Sequence, residues 1–144
     1  MKTAAAALIL LLSAVLAQST AAAQVYVMIL NVRDSRGVVR VAICPRAQFL
    51  HPDCPYVGHA PSAVGTVRVV VDGVPPGIYA AQAFQDANAN GILDRSWLGL
   101  PMEGMGFSND ARMRFGPPAF SDAAFKLGVD DVSISFRLRY LTMP

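Results

Sequence analysis

Short runs of apolar residues, either alternating with polar ones or filling both alternating sets, are broken along this chain by glycine and proline. Val25 to Val32 is β-branched-rich and apolar on both faces, with Val25, Val27 and Ile29 on one side and Tyr26, Met28 and Leu30 on the other. Such a strand is buried on both sides or lies near a partner. Asp34-Ser35-Arg36-Gly37 has turn composition. Val38 to Cys44 then alternates, with Val39, Val41 and Ile43 opposed to Arg40. Two strands joined by a short glycine-containing turn predict a hairpin.

Pro45 to Ala63 carries Pro45, Pro52, Pro55 and Pro61, and it reads as a loop with a helical turn around Arg46 to Leu50. Val64 to Asp72 resumes the alternation through Val67, Val69 and Val71, until Val74-Pro75-Pro76-Gly77 ends it, because proline cannot donate to a ladder. Ile78 to Gln85 predicts a strand whose Tyr79, Ala81 and Ala83 share one face, the small alanines marking a close approach of the opposite layer. Arg95 to Pro118 is irregular, and Phe120 to Leu127 returns to strand character. Asp131 to Leu141 has the cleanest pattern, with Val132, Ile134, Phe136, Leu138 and Tyr140 alternating with Ser133, Ser135, Arg137 and Arg139. With no amphipathic helix of ordinary length and no repeat, the prediction is all-β, an antiparallel β-sandwich of about seven strands.

The N-terminus changes the picture. Met1-Lys2, an apolar stretch from Ala4 to Leu16 broken only by Ser13, and Ala21-Ala22-Ala23 follow the order of a secretory signal peptide. We expect a signal peptide over 1–23, with cleavage after Ala17 as the alternative, and a single sandwich domain over 24–144. The apolar stretch is shorter than the roughly 20 residues of a spanning helix, so the chain is expected to be periplasmic or secreted and not membrane-spanning. Removal of Lys2 leaves basic and acidic residues nearly balanced, since the whole chain has 12 Lys and Arg against 10 Asp and Glu. The arginines are scattered without interleaved aromatics, which argues against nucleic acid as a partner.

Export makes a disulfide the default for the two cysteines, Cys44 and Cys54. The competing reading is a metal set of Cys44, Cys54, His51 and His59, but the spacing matches no tight ligand motif.

One stretch carries candidate chemistry. Asp86-Ala-Asn88-Ala-Asn90-Gly91-Ile92-Leu-Asp94 places oxygen donors at alternating positions and a glycine at the sharp turn, as the first half of a calcium loop does. Asp86, Asn88, Asn90 and Asp94 would offer side-chain oxygens and Ile92 its carbonyl. The bidentate glutamate of such loops is replaced by Trp97, leaving Glu103 to complete the shell. The competing reading is that the same Asp and Asn residues close Asx turns without metal. Met102, Met105 and Met113 could bind Cu(I), although thioethers in such a loop more often serve as adaptable packing.

Three linked segments resemble a known family. They are Val74-Pro75-Pro76-Gly77-Ile78-Tyr79-Ala80, then Asp86 to Asp94, then Pro101-Met102-Glu103-Gly104-Met105-Gly106-Phe107-Ser108-Asn109. In this order they are similar to the bacterial family of exported domains of unknown function catalogued as number 2141. Met105 departs from the aromatic usual there, and the cysteine pair is not a family feature. The resemblance implies a transthyretin-like (prealbumin-like) or carboxypeptidase-regulatory-like sandwich, and it implies no activity.

No Gly-x-Ser-x-Gly elbow or His-Glu-x-x-His helix is present. The expectation is therefore a non-enzymatic envelope module with no catalytic residues, calcium as its one candidate cofactor, and an envelope protein or glycan as partner. Its contact surface would lie within Asp86 to Asn109. The alternative is a metal-assisted or carboxylate-based hydrolase of glycans or esters using Asp86, Asp94 and Glu103.

Overall fold

The computed structural model describes residues 21–141. The expected leader, apart from its last three residues, therefore lies outside the described residues. Among the described residues eight strands form two sheets. One holds β4 (Gly65–Val74), β1 (Ala23–Val32) and β8 (Val132–Arg137) in that order, and the other holds β3 (Tyr56–Pro61), β2 (Val38–Cys44), β5 (Gly77–Asp86) and β6 (Met105–Phe107), with β7 (Ala124–Leu127) also paired to β5. The all-β sandwich is as the alternation predicts. The first and last strands, however, pair in parallel, from Val25 opposite Val132 to Leu30 opposite Arg137.

The predicted hairpin is absent. β1 pairs β4 and β8, whereas β2 pairs β3 and β5, so the turn at Asp34–Gly37 carries the chain from one sheet to the other. The reason lies in the residues around the turn. Gln85 is buried at the end of β5, and its amide donates to the Asp34 carbonyl at 3.0 Å and the Asp34 carboxylate at 2.9 Å. Gly37, at φ +66°, lies so close to the Asp86 carbonyl that a side chain there would collide with it. Long-range partners thus direct the turn across the sandwich instead of back along β1.

Two further expectations change. The proline-rich loop contains β3, an edge strand that ends on Pro61 and runs beside β2 from Val38 to Ile43, and prolines are tolerated at such edges. Phe120–Ala123 is a helical turn, α1, and strand geometry begins only at Ala124. The predicted helical turn near Arg46 is a three-residue 3₁₀ turn over Arg46–Gln48.

The core lies between the sheets. Val25, Val27, Ile29, Val67, Val69 and Val71 face Val39, Val41, Ile43, Ala81 and Ala83, and Phe136 and Leu138 close one side. Ala81 and Ala83 are both buried in this core. A second cluster covers the other face of the larger sheet, where Phe49 meets Phe107 and Phe120 edge-to-face at 5.9 and 5.7 Å. The Cys44–Cys54 disulfide, with Cα atoms 5.0 Å apart, ties down the segment that carries Phe49. Tyr79 donates to the Pro75 carbonyl at 2.9 Å and so fixes the Pro-Pro-Gly turn into β5.

Candidate functional site

β5 delivers Asp86 to the end of the sandwich with its side chain fully buried. One carboxylate oxygen accepts from Arg40 Nε at 2.6 Å and from the Gly91 amide at 2.8 Å, and the other accepts from the Asn90 amide at 3.0 Å. Arg40 reaches it as a cross-strand neighbour, since Val38 of β2 stands opposite Asp86. Burial pushes the Asp86 carboxyl up, but the Arg40 guanidinium and the Gly91 and Asn90 amides outweigh it and hold the group below its ordinary value.

The chain then turns on itself. Asn88 Oδ1 accepts from the Asn90 amide at 3.2 Å and Asn90 Oδ1 from the Ile92 amide at 3.0 Å, two successive Asx turns. Ala89 and Gly91 adopt positive φ of 56° and 84°, and glycine relieves the second. The side-chain amides of Asn88 and Asn90 both donate to Asp94, at 2.7 and 2.9 Å. Glu103 closes the figure from the far side. Its Oε1 accepts from the Ala87 amide at 2.9 Å and its Oε2 from the Asp94 amide at 3.1 Å. Burial raises the Glu103 pKa, the two backbone amides oppose that rise, and the charges of Asp94 and Asp86 add to it.

Five of the six residues expected around a cation therefore meet in one knot through their side chains. The sixth, Ile92, contributes its amide to the knot and leaves a side chain that is 63% exposed. Every carboxylate oxygen of Asp86, Asp94 and Glu103 carries an N–H donor, and Arg40 already supplies the positive charge at Asp86. Among the described residues no group of three or more His, Cys, Asp or Glu is arranged to hold a metal ion. With both cysteines oxidised, the Cys–His set lacks its thiolate ligands.

The knot supports a small hairpin. The Met102 amide donates to the Asp94 carbonyl at 2.9 Å, Ser96 to Leu100 at 2.8 Å and Gly99 to Ser96 at 2.8 Å. The Arg95 guanidinium adds a bond to the Gly99 carbonyl at 3.0 Å. At the tip Trp97 is 92% exposed, with Leu98, Leu100 and Met102 also exposed. A shallow cleft of about 360 Å³ runs beside the hairpin, lined by Arg36, Ala87, Asn88, Asp94, Arg95, Met102 and Glu103.

Beyond the hairpin the Gly-Phe-Ser-Asn segment is structural. Gly104 lies under the Tyr140 ring, where a β-carbon would collide with it. The buried Ser108 hydroxyl accepts from the Ala81 amide at 2.9 Å and donates to the Ala123 carbonyl. Asn109 holds the Ala124 carbonyl at 2.8 Å. Sequence reasoning missed Arg40 and Tyr140. Arg40 was visible only as the polar residue of an alternating strand, and Tyr140 reaches the site by donating to Gln85 Oε1 at 2.8 Å across the sandwich.

No curated protein and no solved structure matches the chain significantly. A family profile matches residues 27–135, which span β1 to β8 and include the knot and the hairpin. The chain belongs to the bacterial family described as Uncharacterized protein conserved in bacteria (DUF2141).

Proposed function

We propose that this protein is an exported, non-catalytic binding module of the bacterial envelope, and that the Arg95–Met102 hairpin is its contact surface for an envelope protein or glycan. The observation that carries this reading is the exposure of Trp97, Leu98, Leu100 and Met102 together on a hairpin braced by its own backbone hydrogen bonds. A contiguous exposed apolar group of this kind marks an interaction site, and tryptophan is enriched where binding energy concentrates. Bracing lowers the ordering cost of binding. The leader pattern and the Cys44–Cys54 disulfide support export. We infer that the knot folds without metal, as a rigid mount, because its hydrogen bonds already engage the side-chain oxygens that calcium would use.

Trp97 is the only tryptophan in the sequence, so intrinsic fluorescence reads the proposed surface directly. Titration with peptidoglycan fragments, and separately with detergent-solubilised envelope proteins, is expected to shift its emission to the blue and saturate. A flat titration with both, or saturable binding that Trp97→Ala retains, overturns the assignment.

One observation favours a second reading. Glu103 has raised proton affinity and borders the cleft beside Asp94, an arrangement suited to proton transfer in glycan or ester hydrolysis. Hydrolysis that disappears in a folded Glu103→Gln variant would replace the binding module with that enzyme.

A further inference from the structure

The outer face of the three-stranded sheet carries a charge pattern that the hairpin reading leaves unexplained. β1 is apolar outward as well as inward, and Tyr26, Met28 and Leu30 lie half-buried along the centre of that face. The register places Tyr26 between Val70 and Ser133, and Met28 between Arg68 and Ser135. Leu30 lies beside Arg137. At the opposite end Gln24 binds both flanking aspartates, its backbone amide to Asp131 at 2.8 Å and its side-chain amide to Asp72 at 2.6 Å. The face is thus acidic at its Gln24 end and basic in its other half, where Arg68 flanks Met28 and Arg137 flanks Leu30, with the apolar side chains of β1 along its centre.

We propose that this face is the interface of a homodimer, with two copies stacked sheet on sheet about a two-fold axis that runs across the strands. Passing between Tyr26 and Met28, that axis turns Asp131 of one copy onto Arg137 of the other, brings Asp72 towards the half that carries Arg68, and stacks Tyr26 of each copy on Met28 of the other. A two-fold axis along β1 would instead set Asp72 on Asp131 and leave the arginines of both copies in the same half of the stack, and like charges across an interface cost affinity. The face carries two positive and two negative side chains, so it complements itself only in the antiparallel stacking, as an isologous contact requires. Arg68 lies with its guanidinium 4.3 Å from the centre of the Tyr26 ring, already spread over the apolar centre. Arg137 also meets Asp110 at 3.4 Å and remains 55% exposed.

Three strands spaced about 4.8 Å apart, with four rows of outward side chains, give a footprint below the roughly 800 Å² per partner of standard interfaces. The dimer is therefore weak, with Kd on the order of micromolar. The antiparallel stacking also places the two hairpins at opposite ends of the pair, so that one dimer can contact two sites.

Sedimentation of the purified protein from about 0.1 to 100 µM tests this, the range bracketing the expected Kd. The expected result is a rise from monomer to dimer. Met28→Glu, checked for folding by circular dichroism, is expected to remain monomeric at every concentration. Asp72→Arg/Asp131→Arg and Arg68→Glu/Arg137→Glu should each be monomeric alone and should associate when mixed. A wild type that stays monomeric overturns the proposal, as does a dimer that survives Met28→Glu. Two folded charge variants that fail to associate on mixing also overturn it.

Discussion

Asp86 and Glu103 are buried carboxylates on opposite sides of one turn, and the knot moves their proton affinities apart. Asp86 is held below its ordinary value of 3.8, despite its burial, by Arg40 and two backbone amides. Glu103 is pushed above its ordinary value of 4.5 by burial and by the charges of Asp94 and Asp86. The difference follows from the partners: a guanidinium stands beside one carboxylate, and carboxylates stand near the other.

Opposite shifts give opposite slopes of stability with pH. Asp86 binds protons more weakly in the folded state, so its contribution is fully present above pH 3.8 and is lost as pH falls through its lowered folded value. Glu103 binds them more tightly when folded. Its contribution is fully present below 4.5 and is lost as pH rises through its raised folded value. Thermal melts from roughly pH 3 to 7, a range around ordinary carboxylate values, should show that Glu103→Gln flattens the upper limb. Asp86→Asn should flatten the acid limb. A Glu103→Gln profile parallel to wild type throughout would contradict the raised affinity.

Gly104 and Gly99 separate crowding from backbone strain. Gly104→Ala would drive a β-carbon into the Tyr140 ring, which also holds Gln85, and should cost about 1–3 kcal/mol in denaturant unfolding. Gly99 has open space around it but a φ of +79°. Gly99→Ala should therefore cost only about 1 kcal/mol, through local strain.

Cys44→Ser/Cys54→Ser should lower stability by about 2–3 kcal/mol, the entropy of closing a loop of this length in the unfolded chain. The loss should exceed that figure if Phe49 also leaves Phe107 and Phe120, and near-ultraviolet circular dichroism reports the aromatic contacts.

Calcium at millimolar concentration should leave the melting curve superimposed on that taken with chelator, because ligand stabilisation requires sites that the folded state offers free. A rise in Tm that Asp94→Asn removes would show that the cation displaces the asparagine amides and binds.

Trp97→Ala should change stability by no more than about 0.5 kcal/mol, since the side chain is 92% exposed. Loss of binding in this variant with an unchanged melt assigns the residue to recognition.

β1, β2, β4, β5 and β8 were legible in the sequence because each alternates, or is apolar on both faces, over six or more residues. The pairing of β1 and β2 was not legible. Local turn composition predicts a hairpin, whereas the distant Gln85 decides where the turn goes. β3 and β6 escaped because an edge strand such as Tyr56–Pro61 needs neither β-branching nor freedom from proline, and Met105–Phe107 is too short for a period to show. The members of the knot were legible from their alternating oxygens. Their use was not, because the Asx pattern of a calcium loop and that of a hydrogen-bonded turn differ only in where N–H groups point. Arg40, forty-six residues from Asp86, donates to its carboxylate at one corner of the knot, a partner that no local spacing announces.

The parallel pairing of β1 with β8 has a mechanical consequence. Tension applied through the first and last strands pulls these neighbours in opposite directions along their shared axis. Their hydrogen bonds are then loaded together in shear instead of opening one after another from an end. The Leu138 amide on the Leu30 carbonyl at 2.9 Å and the Asn31 side chain on the Leu138 carbonyl at 2.8 Å extend that seam past the end of β8. A chain held at one end while its surface is pulled from the other would resist as a clamp, and pulling single molecules by their two ends would measure the force at which it yields.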